Sequence, residues 1–170
     1  MEILKLATEW AKAEVFSTRF FIIFAIFFLI ASLGFWQLGK TDLAKAYIIP
    51  TLVAGILLLT IGLGLFFTNT SRITQFEKAF AADAPAFVQS EIERSESTLK
   101  EYTLVFRVIP ILIIVAAFLL LVINTPVWRA ISITTIAMLI VILLIDGTAH
   151  ARIESYHKEL KVVDTMDEIN

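Results

Sequence analysis

The chain has 170 residues, of which 58% are hydrophobic and 18% charged, and its mean hydropathy of +0.84 is too high for a soluble domain of this size. A net charge of −2 and the absence of any Lys/Arg run leave nucleic acid no basic face to bind. With no cysteine, disulfides, thiol catalysis and thiolate metal sites are excluded.

The fold class expected is an all-α membrane protein. Residues 1–15 place Ile3, Leu4, Leu6, Ala7, Trp10 and Ala11 on one helical face and Glu2, Lys5, Glu9 and Lys12 on the other, the pattern of an amphipathic interfacial helix. Residues 16–81 read as a first transmembrane hairpin with a helical extension. Its first span, Phe16 to Leu38, is rich in phenylalanine, which suits lipid contact. Its second, Tyr47 to Thr68, carries Thr51, Gly55 and Gly62 on one side and Thr60, Gly64 and Thr68 on another. Small faces of this kind let helices approach closely, so Thr51, Gly55, Gly62 and Gly64 are the candidate packing residues.

Residues 82–163 read as a connecting helix and a second hairpin with spans Phe106 to Ile123 and Val127 to Ile145. Asp83 and Pro85 mark the reversal into this unit. Thr125 is positioned as an N-cap and Pro126 as the first helical residue of the last span. Glu96 and Lys100 stand four apart in the stabilising order, while Glu91, Glu93 and Arg94 are expected on the exposed side. Pro110 removes one helix bond. Residues 164–170 form an acidic tail without pattern, expected to fray. Each span holds 18 to 23 residues, which at ~1.5 Å per residue crosses a hydrocarbon core of ~30 Å.

Eleven of the fourteen lysines and arginines fall on one side of these spans, against Lys40, Lys45 and Arg129 on the other. The excess puts both termini and the long loop from Thr70 to Tyr102 in the cytoplasm, and the expected location is a bacterial-type inner membrane. Arg152, Ile153, Tyr156, Lys158 and Leu160 repeat the order Arg72, Ile73, Phe76, Lys78 and Phe80 eighty residues earlier. Two antiparallel hairpins, N-in and C-in, with helical cytoplasmic extensions, are thus expected as a parallel internal repeat.

Two groups of residues have candidate chemistry. Asp146 sits at the membrane edge, ~28 Å along the helix from Val127, and Arg19 and Arg107 lie at a comparable depth. Asp146 paired with Arg107 or Arg19 is the expected arrangement, with a gate or cation site as the functional alternative. Asp146, His150, Glu154 and His157 also fall within an arc of ~80° on one helix face. Glu154 and His157 have the Glu-x-x-His spacing of carboxylate metal bundles, and His150, Glu154 and His157 are candidate Zn²⁺ or Fe²⁺ ligands shared between subunits.

No ionisable residue lies near the middle of any span, which disfavours ion-coupled transport. Serine elbows and glycine-rich phosphate loops are also missing, so neither an enzyme nor a cofactor is the first expectation. The leading functional reading is a homo-oligomeric channel or membrane-perturbing assembly. A non-conducting subunit docking a soluble partner through residues 71–102 and 146–163 is the second, and a metal-dependent membrane enzyme the third.

Overall fold

A computed structural model describes residues 2–169, with side chains described as far as Val163. Four long helices and one short one account for nearly all of it: α1 (Glu2–Leu38), α2 (Asp42–Ala46), α3 (Ile48–Ala82), α4 (Ala84–Val122) and α5 (Pro126–Ile169). The four long helices are each long and apolar enough to cross a membrane. At 35 to 44 residues and ~1.5 Å per residue they measure roughly 52 to 66 Å, so each extends ~20 Å or more beyond a ~30 Å hydrocarbon core. The projecting parts gather at one end as a stalk.

Local chemistry sets the helix ends. Asp83 alone separates α3 from α4, and its Oδ1 accepts from the Ala86 N–H at 3.0 Å, with Pro85 where a missing N–H costs nothing. Thr125 accepts from the Trp128 N–H at 3.4 Å, and α5 begins at Pro126. Thr41 caps α2 by accepting from the Ala44 N–H at 3.1 Å. This five-residue helix occupies a link that carried no periodic signal. Helix α4 runs unbroken through Pro110. Helix α5 continues to Ile169 where an irregular acidic tail was expected, and the side chains of that tail lie outside the described residues.

In the apolar half, α1 and α3 run in opposite directions. Ser32 donates to the Ile48 carbonyl at 2.8 Å, Leu29 meets Gly55, and Phe21 and Ile22 meet Gly62. A Cβ on Gly55 would come within 2.8 Å of the Leu29 side chain, and one on Gly62 within 2.9 Å of the Phe21 Cβ. Both glycines therefore admit α1, and Thr51 is buried beside them with its hydroxyl on the Tyr47 carbonyl at 2.7 Å. Gly64 differs: among the described residues no other helix comes within 4 Å of its would-be Cβ. Helix α5 closes on the pair through Val141 and Ile145, which join Phe21, Ala25 and Leu58 in one apolar cluster. The apolar part of α4 is the least covered of the four spans.

The stalk has its own core. Ile3, Ala7, Trp10 and Ala11 of α1 pack with Phe76 of α3, Phe87, Val88 and Ile92 of α4, and Ile153, Tyr156 and Leu160 of α5. Residues 1–15 were expected as a separate helix on the bilayer surface. From Glu2 onward they are instead the first turns of an unbroken α1, and their apolar face is covered by protein. An apolar stripe satisfies the same hydrophobic requirement against lipid or against three other helices, and here the helices supply it. Ile73, Phe76 and Phe80 of α3 contribute to the same cluster as Ile153, Tyr156 and Leu160 of α5.

Overpacking a close contact costs about 1 to 3 kcal/mol. Gly62→Leu should lose that much in thermal unfolding in detergent. Gly34→Leu, at a position where a Cβ meets nothing within 4 Å, should stay within about 0.5 kcal/mol of the parent.

Candidate functional site

Where the apolar parts of the helices give way to the stalk, a cavity of about 300 Å³ lies among α1, α3, α4 and α5. Its apolar wall includes Phe21, Ile61, Leu65 and Ile142, and its polar wall is Arg72, Thr98, Glu101, Tyr102 and Asp146. Arg72 is held by its Nη1, which donates to the buried Asn69 Oδ1 at 2.8 Å.

The partner expected for Asp146 is not there. Arg19 and Arg107 are exposed, Arg19 lying 5.8 Å from the Phe16 ring centroid. Among the described residues no cation lies within 4.0 Å of Asp146. The reason is angular. On α4 the inward position is Ile109, and Arg107, two residues away, is turned ~200° from it at ~100° per residue. On α1, Arg19 follows the buried Ser17 and Thr18 but falls outside the face that continues through Phe21 and Ala25. The arginine that shares the Asp146 cavity is Arg72. Its place at the head of the repeated Arg-Ile pattern was the one sequence signal for it.

Beneath the cavity the stalk encloses charge. Glu14 of α1, 9% exposed, accepts from Arg152 Nε of α5 at 3.1 Å. One level further down, Arg94 forms a two-pronged pair with Glu91 at 2.9 and 2.6 Å, and the Tyr156 hydroxyl donates to the same carboxylate at 2.6 Å. The Arg94 guanidinium sits 4.2 Å over the Trp10 ring, which in turn stacks on Tyr156 at 5.2 Å. Glu91, expected on the exposed side of the helix, is 4% exposed. Burial pushes the Tyr156 phenol up, and the neighbouring Glu91 carboxylate adds to the shift, so the proton stays on the tyrosine and points at Glu91. Burial alone would lower Arg94, but the hydrogen bond and charge of Glu91 outweigh it. Trp10 Nε1 and Arg152 Nη2 are buried without a hydrogen-bond partner among the described residues.

The three metal-ligand candidates do not converge. His150 lies edge-on to Tyr102 and Phe106, at 5.6 and 5.4 Å. Glu154 accepts from Lys158 at 2.7 Å. His157 pairs through Nδ1 with Ser95 Oγ at 2.7 Å. Among the described residues no group of three His, Asp or Glu side chains could hold a metal ion. Ser95 also bonds the Ile92 carbonyl at 2.8 Å. With its one proton committed there, the 2.7 Å contact requires His157 to carry its proton on Nδ1. Glu96, rather than pairing along its own helix with Lys100, takes Lys161 of α5 at 2.9 Å.

No protein-family model, curated protein or solved structure matches the chain.

Breaking a buried pair by removing one partner costs about 3 to 5 kcal/mol. Glu91→Ala should lose that much in denaturant or thermal unfolding, because it strands Arg94. Tyr156→Phe should lose about 1 to 3 kcal/mol, the cost of one hydrogen bond withdrawn from a buried carboxylate. Burial, and then the Lys161 charge, lower the His157 pKa, with Glu96 offsetting part of the effect. A histidine lowered in the folded state contributes stability that is complete above its ordinary pKa of about 6.5 and is lost as pH falls through that value toward the folded one. On acidification below about pH 6.5 the parent should therefore lose melting temperature relative to His157→Gln, which lacks that part of the slope.

Proposed function

We propose that the protein is a homo-oligomeric inner-membrane channel of bacterial type, built from two antiparallel hairpins with both termini and the stalk in the cytoplasm. The Asp146 cavity is its cytoplasmic vestibule. The observation that carries this reading is Asp146 itself. A carboxylate with no cation within 4.0 Å among the described residues, on the wall of a cavity that is part polar and part apolar at the membrane edge, is costly unless that cavity is wet or takes up a cation. The expected ion pair with Arg19 or Arg107, which would have made Asp146 purely structural, is not formed.

The assembly surface follows from α3. Thr60, Gly64 and Thr68 are all exposed, and Gly64 has open space before it. Continued by four, the same row reaches Arg72 on the cavity wall. Residues four apart drift only ~40° around a helix, so a second subunit seated on this row lies beside the vestibule. Gly55 and Gly62, by contrast, are already used within the chain. One subunit has no polar path through its spans, and conduction falls to the assembly.

The docking reading retains one surface. At the stalk tip a groove of about 440 Å³ runs between the start of α1 and α5, lined by Ile3, Leu6 and the exposed Val162 among charged residues. The rest of the stalk turns its large apolar residues inward.

The mass of the detergent-solubilised protein should correspond to a defined oligomer, and Gly64→Leu should shift it toward monomer. Liposomes containing the parent protein should pass monovalent cations. Asp146→Asn should cut that flux several-fold while the oligomer and its melting temperature are unchanged. A parent protein that is a clean monomer, or flux indifferent to Asp146, would sink the channel.

A further inference from the structure

At the end of the spans far from the stalk, α3 and α5 do not close on each other. A groove of about 620 Å³ separates them. Short residues, Ala46, Pro50 and Ala54 on one side and Thr134 and Thr135 on the other, leave room between larger wall residues such as Leu57 and Met138. The space lies between two apolar spans and has a strongly apolar lining, so filling it with water is unfavourable and leaving it empty forfeits contacts along both walls. Lys45 of α2 stands at its mouth. That ammonium is exposed, and among the described residues no carboxylate lies within 4.0 Å of it. Thr134 is 4% exposed, and neither it nor Thr135 makes a side-chain hydrogen bond among the described residues. Two hydroxyl donors thus line an otherwise apolar wall.

We propose that this groove binds an anionic membrane phospholipid, one acyl chain lying between α3 and α5 and the phosphate of its headgroup meeting Lys45. The apolar lining of the groove suits an acyl chain, the unpaired cation matches an anionic head, and the threonine hydroxyls match the acceptor oxygens of an acyl ester. A chain shielded from exchange with bulk lipid is retained when most of the bilayer is stripped away. An unspecific lipid shell is not, and it shows no preference for charge at one residue. The site is separate from the Asp146 cavity, at the other end of the spans, and does not depend on conduction.

Native mass spectrometry of the full chain in detergent tests it, with dioleoylphosphatidylglycerol and dioleoylphosphatidylcholine added in turn. These lipids share the same acyl chains and differ in net charge. The parent protein should retain one phosphatidylglycerol per chain under conditions that strip phosphatidylcholine. Lys45→Gln should reduce phosphatidylglycerol retention to the phosphatidylcholine level, whereas Lys40→Gln, whose lysine does not line the groove, should leave it intact. Val53→Trp projects a ring into the groove from a wall position 48% exposed. It should abolish retention with helicity by circular dichroism unchanged. Equal retention of the two lipids by the parent, equal loss in the Lys40 and Lys45 variants, or undiminished binding in Val53→Trp each overturns the proposal. So does release of the lipid whenever two copies associate, because the groove would then belong to the contact between copies.

Discussion

Glu91 is a carboxylate taken almost wholly out of water, and three helices are arranged to satisfy it. Arg94 of α4 grips it with two donors, Tyr156 of α5 adds a third, and Trp10 of α1 closes over the guanidinium with the face of its ring. A buried charge of this kind adds little net stability over an apolar replacement, but it tolerates only the geometry that satisfies all its donors. The consequence is register. Trp10 can reach the Arg94 guanidinium only if α1 runs straight down from the membrane beside α5, and the Glu14 to Arg152 pair one level higher imposes the same alignment. The stalk therefore dictates how α1 and α5 enter the apolar layer.

Above that level the packing is uneven. Helices α1 and α3 are drawn together by Gly55 and Gly62, and α5 fits against both through Val141 and Ile145. Helix α4 is held mainly through α5 and through the stalk, with Ile109 and Ala116 its only buried residues in the apolar part and Ile111, Ile114, Phe118 and Leu121 exposed. The cavity at the base of the spans lies where α3 and α4 part company. There the chain places Arg72, Glu101, Tyr102 and Asp146 around a space of about 300 Å³. Polar side chains in such a position fit a wet compartment better than a sealed one, since sealed they would have to find partners in one another.

Much of this architecture was legible in the residues, and the illegible part has a common physical cause. The apolar spans, the Asp83 reversal, the Thr125 cap and the continuity of α3 into the stalk follow from periodicity and local hydrogen bonding, which act within a few residues. Depth along a helix axis follows from counting, which put Asp146, Arg19 and Arg107 at one level. Which way each faces depends on neighbours that no single helix specifies, and there the expectation failed: both arginines are exposed, and Arg72 lines the Asp146 cavity without pairing with it. The same gap explains Glu91, since a Glu-x-x-Arg pattern reads as a solvated face unless Trp10 and Tyr156 are known to cover it. It also explains residues 1–15, whose amphipathic stripe is identical whether it meets lipid or protein. His150, Glu154 and His157 share a helix face as counted, but Tyr102, Lys158 and Ser95 each draw one of them aside.

The stalk core joins opposite regions of the chain, Ile3 and Ala7 meeting Tyr156 and Leu160 in one cluster. Contacts separated by some 150 residues close last, because the loop entropy they must overcome is the largest in the molecule. During synthesis the α1 and α3 spans can insert and zip together early, through contacts such as Phe21 on Gly62. The apolar stripe of residues 3–11 stays uncovered until α5 has crossed the bilayer and emerged. For that interval its nearest apolar shelter is the membrane surface beside it. Completion of the stalk core therefore depends on α5 having placed Tyr156 and Leu160 against α1.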